Sequence, residues 1–152
     1  MDDTEARRII ETEIAPALGL FSSRKSATLD ELSLILARLN PAVEKLPRDI
    51  SWPEDFEFIL KATDLRRTVK FQWPELGFYD DTNGSEFLER VPESIGDAAD
   101  DLSDISLDLA RGIEISSVDA VGALSQIRFW YDTHWGKHST DLQRYLSQKL
   151  SS

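Results

Sequence analysis

His134 and His138 are the chain's only histidines, and the four-residue spacing places both rings on one face of a helix. Two imidazoles at this spacing are the arrangement with which a single helix holds a transition-metal ion. Gly136 lies between them, although a glycine in a helix interior costs about 1 kcal/mol relative to alanine. The segment 134–138 is therefore predicted to serve more than helix formation. It lacks the intervening glutamate of zinc proteases, so that class of enzyme is not indicated.

A second candidate group is a stripe of carboxylates. Asp97, Asp101, Asp104 and Asp108 follow one another at spacings of 4, 3 and 4, directly beside an apolar stripe. Like charges at these spacings destabilise a helix by a few tenths of a kcal/mol per pair. The stripe therefore predicts cationic partners on a neighbouring helix. The candidate partners are the histidines, a metal ion, or the guanidinium of Arg128 in a bidentate pair.

Two interpretations of these groups remain open. In one, His134 and His138 join some of Asp101, Asp104 and Asp108 in a two-histidine, carboxylate metal site. In the other, the histidines only donate hydrogen bonds to the aspartates and hold two helices together, and Trp135 is a packing residue. Magnesium bound between two acidic helices, as in all-helical nucleotide pyrophosphohydrolases, would need a second carboxylate pattern, which the rest of the chain does not supply.

The elements that must position these residues are predicted to be helices. Apolar residues recur at spacings of 3 and 4 in five segments, and few segments alternate as strands do. Thr28 and Glu31 form a capping box before the second segment, Pro41 is expected to kink or split it, and Ser51 with Pro53 marks the start of the third. The predicted helices cover residues 4–15, 28–46, 51–70, 94–113 and 117–150.

The connection before the fourth helix is irregular and aromatic. Between Phe71 and Phe87 the chain carries five aromatic residues together with Pro74, Gly77 and an Asn-Gly pair. We expect a packed loop here, with an exposed binding surface as the alternative. The whole pattern predicts an all-α fold, an antiparallel bundle of four to five helices within a single domain spanning residues 1–152.

The composition limits the classes of function. The net charge is −11, which disfavours nucleic acid and anionic membranes, because both require clustered lysine and arginine. The absence of cysteine excludes disulfides and thiolate chemistry. The amino terminus is acidic and lacks the apolar core of a signal peptide, and no apolar run approaches about 18 residues. We therefore expect a cytoplasmic protein with neither nucleic acid nor a membrane as its partner.

One family resemblance joins the two candidate motifs. Residues 100–113 read DDLxDIxxDLxxGI, and Arg128 and the segment HWGxH at 134–138 follow. This order resembles a bacterial family known as domain of unknown function 5063, in which a DDLxDIxxDL helix precedes a helix that ends in HWGxH. The resemblance implies an all-helical fold and implies no activity. It also links the aspartate stripe and the HWGxH segment as one unit.

Taken together, the sequence predicts a small acidic protein that acts without catalysis by binding a protein partner, for example by neutralising a basic one. No cofactor is expected under this interpretation. The alternative is a metal-dependent enzyme of the hydrolase type that uses a two-histidine, aspartate site. The candidate residues under either interpretation are Asp101, Asp104, Asp108, Arg128, His134, Trp135, Gly136 and His138.

Overall fold

A computed structural model of the protein describes residues 1–48, 55–86 and 94–151. The helices are α1 (Asp3–Ile9), α2 (Ala15–Ser22), α3 (Leu29–Glu44), α4 (Ala62–Gln72), α5 (Ala98–Ser116), α6 (Ala120–Trp130) and α7 (Gly136–Ser151). A first π turn (Ile10–Ile14) joins α1 to α2, and a second π turn (Tyr131–Trp135) joins α6 to α7. The strands are β1 (Phe78–Asp80) and β2 (Ile95–Asp97), which pair antiparallel. The predicted all-α bundle is confirmed.

The amino-terminal helix is longer than predicted. The sequence places its end at Ala15, before Pro16, but α1, the first π turn and α2 continue to Ser22. The N–H of Ala15 donates to the carbonyl of Ile10, five residues back. This wider turn relieves the clash that a proline ring normally makes with the preceding turn, so Pro16 does not end the helix.

In α3 the predicted cap is confirmed, and of the two effects predicted for Pro41, a kink or a split, the split is wrong. The Thr28 hydroxyl accepts a hydrogen bond of 3.2 Å from the backbone N–H of Glu31. The helix then continues through Pro41 to Glu44. Leu36 and Val43 are buried on either side of the proline. Burial of this continuous apolar face offsets the one backbone hydrogen bond that proline cannot make.

The third predicted helix is displaced. Its start signals at Ser51 and Pro53 lie outside the described residues, and residues 56–60 are not helical. The backbone N–H groups of Ile59 and Leu60 instead donate to the carboxylate of Glu114, at 2.7 and 3.1 Å. That carboxylate satisfies backbone donors that a helix would otherwise use. The segment therefore runs along α5, and helix α4 begins only at Ala62.

The fourth predicted helix also begins late, because residues 95–97 form β2. Asp97 then caps α5 by accepting a hydrogen bond of 3.2 Å from the backbone N–H of Asp100. The aromatic connection therefore contains a short β ribbon. Trp73 and Tyr79 are buried in it, as the packed-loop interpretation expects, but Phe71 is 81% exposed and Phe78 is 63% exposed.

The last helix begins at Ala120 rather than at Ser117. Asp119 caps it by accepting a hydrogen bond of 2.8 Å from the N–H of Gly122. Helix α5 lies between α4 and the long α6–α7 helix, and α3 packs on α7. Within the described ranges, no helix has the length and apolar character needed to cross a membrane. The largest fully buried side chains include Phe21, Trp73, Tyr79, Trp135 and Tyr145.

Candidate functional site

The aspartate stripe of α5 and the two histidines meet at the seam between α5 and the last helix. His134 Nδ1 lies 2.9 Å from Asp108 Oδ2, and His138 Nδ1 lies 2.7 Å from Asp101 Oδ1. The other nitrogen of the second ring, His138 Nε2, lies 3.4 Å from Asp104 Oδ2. The structure thus brings together all five residues that the spacing of the two motifs had linked.

With both carboxylates ionised, these contacts indicate which ring nitrogens carry the protons. An ionised carboxylate only accepts hydrogen bonds, so Nδ1 of His138 donates to Asp101 and Nδ1 of His134 donates to Asp108. In a neutral ring the lone pair is then on Nε2. A carboxylate bound to one nitrogen, with the other nitrogen free to coordinate, is the arrangement that orients metal-binding histidines in proteins.

Helix α4 supplies cations on the other side of the stripe, which the sequence analysis missed. Arg66 forms an ion pair with Asp104 and donates a hydrogen bond of 3.3 Å to the hydroxyl of Ser103. Lys70 Nζ lies 3.1 Å from Asp100 Oδ1. The signal was present in the sequence as a basic pair four residues apart, at helical spacing. These cations hold Asp100 and Asp104 against their mutual repulsion.

Tyr79 is a second residue that the sequence analysis missed. Its hydroxyl donates a hydrogen bond to the carboxylate oxygen of Asp101 that His138 does not use. The ring lies over Gly96 of the paired strand, where a Cβ atom would come within 2.2 Å of it. The Asn83-Gly84 pair was the available signal, because it indicates a turn that returns the chain beside β1.

The second π turn sets the position of His134. The N–H of Gly136 donates to the carbonyl of Tyr131, five residues back. A Cβ atom at Gly136 would lie 2.5 Å from that carbonyl oxygen, so glycine is the residue that fits. The turn places the two imidazole centroids 4.9 Å apart, edge to face. π turns of this kind occur frequently at functional sites.

Trp135 faces away from the histidines into the core. Its side chain is fully buried, and its Nε1 donates a hydrogen bond of 3.2 Å to the carbonyl of Ile127. The ring packs edge-on against Tyr131 at a centroid distance of 4.8 Å. Trp135 therefore anchors the π turn, as the packing interpretation had it.

Arg128 does not pair with the aspartate stripe, so that prediction is wrong. Its Nε lies 3.1 Å from both carboxylate oxygens of Asp132, and its Nη1 donates to the carbonyl of Val43 at 3.1 Å. The reason is its position on α6: Asp132 lies one turn further along the same face, and the carboxyl end of α3 offers a carbonyl. Arg128 ties α6 to α3 and belongs to the scaffold.

The site is buried on the carboxylate side and open on the imidazole side. The side chains of Asp101, Asp104 and Asp108 are only 9%, 9% and 6% exposed, whereas those of His138 and His134 are 30% and 46% exposed. Solvent and small molecules can therefore reach the rings.

Two pKa shifts show how charge is balanced at this seam. Burial raises the pKa of the Asp108 carboxyl, and the hydrogen bond from His134 and the charge of Arg111 counter that rise. The hydrogen bond to Asp101 raises the pKa of His138 against the opposing effect of desolvation, and the charges of Asp101, Asp104 and Asp100 add to the rise. A positive charge at the His138 ring, whether a proton or a metal ion, is thus stabilised.

Three of these residues have the chemistry and proximity of a metal-binding set. One ligand atom from each of Asp104, His134 and His138 lies within 4.8 Å of the other two. Two imidazoles and one carboxylate suit zinc, iron and related divalent ions, and three protein ligands leave positions for water or substrate. Asp101 and Asp108 would then support the two imidazoles from behind.

Comparison with known proteins places the chain by sequence alone. The sequence profile described as a domain of unknown function, DUF5063, matches residues 13–152. The match covers the aspartate stripe, the HWGxH segment and most of the amino-terminal half of the bundle. No curated protein and no solved structure matches the chain.

Proposed function

Because the chain belongs to the DUF5063 family, which carries no assigned activity, we propose its function from the site itself: the protein binds one divalent transition-metal ion through Asp104, His134 and His138. The observation that carries this proposal is the convergence of three ligand atoms within 4.8 Å. The contacts of Asp101 and Asp108 with Nδ1 support it, because they leave Nε2 of each ring available.

The charge around the site also favours a divalent cation. Asp100 and Asp104 pair with Lys70 and Arg66, and the charge of Arg111 acts on Asp108, so these four aspartates (100, 101, 104 and 108) carry one negative charge more than the three cations when both imidazoles are neutral. A divalent ion would bring positive charge to this excess. A three-ligand site with open positions is typical of catalytic rather than structural metal centres. We accordingly propose a hydrolytic role, in which bound metal lowers the pKa of a coordinated water.

The test is metal content and metal-dependent stability. Protein purified without an affinity tag is expected to contain stoichiometric metal, and added Zn²⁺ or Mn²⁺ is expected to raise its melting temperature. At a metal concentration of 100 Kd the gain is about 2.7 kcal/mol. The double variant His134→Ala/His138→Ala should lose both effects.

Lys137→Ala is the matched control, because Lys137 lies between the histidines, is itself exposed, and pairs with Asp141, which is not one of the proposed ligands. It should bind metal as the unaltered protein does. If the histidines only hold the helices together, the double variant would lose about 1–3 kcal/mol per buried partner left unpaired, and metal would stabilise neither protein. That outcome would refute the metal proposal.

A second candidate function is binding of a basic protein partner in the cytoplasm without catalysis. The net charge of −11 supports it, and so does one exposed face of the β ribbon. On that face Phe78 is 63% exposed and Ile95 is 54% exposed, beside the carboxylates of Asp80 and Asp97. Exposed apolar groups with an acidic rim are typical of protein-binding surfaces.

This candidate predicts capture of a basic protein whose binding weakens as salt is raised and falls at least about tenfold on Phe78→Ser, which leaves the charge unchanged. Affinity is measured by isothermal titration with the captured protein. The His134→Ala/His138→Ala variant should bind it normally. Binding that is indifferent to salt and to Phe78→Ser would argue against this surface.

A further inference from the structure

Two side chains that the metal site does not use have buried polar atoms without a partner. They are Nε of Arg111 and both amide atoms of Gln126, and no other side chain in residues 1–48, 55–86 and 94–151 has such an atom. Gln126 is fully buried. Buried polar atoms in native proteins are almost always hydrogen-bonded, so an unpaired set needs a partner such as an ordered water, an ion or a ligand.

Helix geometry places both side chains on the same side of the α5–α6 pair. Gly112 faces Ile127, because a Cβ atom on Gly112 would lie 2.4 Å from Ile127 Cγ1. The two helices are joined by three residues and run antiparallel. Each residue turns a helix by about 100°, so the residue just before a facing position projects sideways from the contact between the helices. In two antiparallel helices, the two residues just before a facing pair project to the same side. Arg111 and Gln126 are those residues.

The metal-binding set lies on this same side. Asp108 and Asp104 precede Gly112 by four and eight residues. Their side chains are therefore rotated about the α5 axis by about 40° and 80° from the direction of Gly112, toward the side on which Arg111 projects. Arg111 follows Asp108 by one turn, and its charge acts on that carboxyl. The two unpaired side chains therefore adjoin the seam where the histidines lie.

Arg111 is held away from the carboxylate next to it. It forms no ion pair with any described residue, although Asp108 lies one helical turn away. Its guanidinium carbon lies 5.6 Å from the centroid of the Phe58 ring instead. Phe58 is fixed in turn by the hydrogen bonds of the following residues to Glu114. The guanidinium is thus positioned by an aromatic face and keeps donors available.

We propose that Arg111 and Gln126 form an oxyanion-binding subsite beside the metal-binding set, so that the molecule reaching the metal carries a carboxylate or phosphate group. This inference rests on the proposed function for its link to the metal. Only Nε of Arg111 is buried and the residue as a whole is partly exposed, so its other guanidinium donors can be reached from solvent. Arginine donors match carboxylate and phosphate oxygens, and the NH2 group of the Gln126 amide adds two further N–H donors.

The experiment titrates inorganic phosphate and, separately, acetate into metal-loaded and metal-free protein by isothermal titration. We expect saturable binding of one of these anions. Arg111→Gln should weaken it roughly tenfold or more, because hydrogen bonds to charged groups are the strong ones. Arg67→Gln is the matched control: Arg67 is 78% exposed and lies 4.0 Å from its nearest carboxylate.

The outcomes separate this inference from the proposed function. Metal binding without anion binding, or equal anion affinity in Arg111→Gln and the unaltered protein, overturns the subsite alone. Anion binding lost in Arg111→Gln, with no metal bound by any variant, upholds the subsite and overturns the metal proposal. If Arg111→Gln does not fold, the NMR shift of the Arg111 Nε–H group on phosphate addition decides instead: a shift supports the subsite, and an unchanged resonance refutes it.

Discussion

Replacing Asp104 by asparagine is expected to weaken Zn²⁺ or Mn²⁺ binding by at least about 100-fold. Changes to residues that merely support a metal ligand already cost about 10–100-fold, and Asp104 is proposed as a ligand itself. Asparagine keeps the size of the side chain and removes its charge. Isothermal titration with each metal, on protein first freed of metal by chelation, measures the change.

Asp100→Asn is the control for this prediction. Asp100 lies on the same helix, also interacts with Arg66, and pairs with Lys70, but it is not one of the three converging ligands. Both variants lose one negative charge, so their long-range electrostatic effects are matched. We expect Asp100→Asn to retain metal affinity within a few-fold. Equal losses in the two variants would mean that metal is attracted by the general acidity of α5 and not by a defined site.

Gly136→Ala is expected to destabilise the protein by about 1–3 kcal/mol and to weaken metal binding as well. The added methyl would lie 2.5 Å from the carbonyl oxygen of Tyr131, and this is a backbone atom that side-chain rotation cannot move away. Relief requires the π turn to open, which displaces His134. In an ordinary α-helix the same change stabilises by about 1 kcal/mol, so the sign of the effect is diagnostic.

Gly19→Ala provides the matched control, because Gly19 is exposed within α2 and a Cβ atom there would contact nothing within 4 Å. It should stabilise the protein by up to about 1 kcal/mol. Chemical denaturation of both variants, followed by metal titration, measures the two effects. A stabilised Gly136→Ala protein with normal metal affinity would contradict the role given to the π turn.

The sequence predicted the helices well where local signals and burial agree. The Thr28 cap and the long apolar faces of α3, α5 and α7 lie where periodicity placed them. The errors at residues 56–60 and at Ile95–Asp97 have one cause: distant groups took the backbone hydrogen bonds, Glu114 in the first case and the strand Phe78–Asp80 in the second. The local spacing of residues in the sequence cannot identify such distant hydrogen-bond partners.

For the candidate site, spacing was sufficient to link His134 and His138 to the aspartates of α5. It could not find Tyr79 or Arg66, since each reaches the site from an element far away in sequence. It misplaced Arg128, because spacing cannot tell which of several carboxylates an arginine meets. Spacing also could not predict the two π turns, although the glycine between the two histidines marked the second of them.

The second π turn has a genetic consequence. Such a turn carries one residue more than the α-helical turn it replaces, so losing a single codon within 131–135 would restore an uninterrupted α-helix. Because the shorter segment still completes one turn, α6 and α7 would keep nearly the same relative rotation, and only the residues within the turn would shift. His134 would lose the position from which it meets Asp108, while His138 would stay on α7. Loss of the paired imidazole site is therefore one mutational event away, while replacing the aspartates would take several.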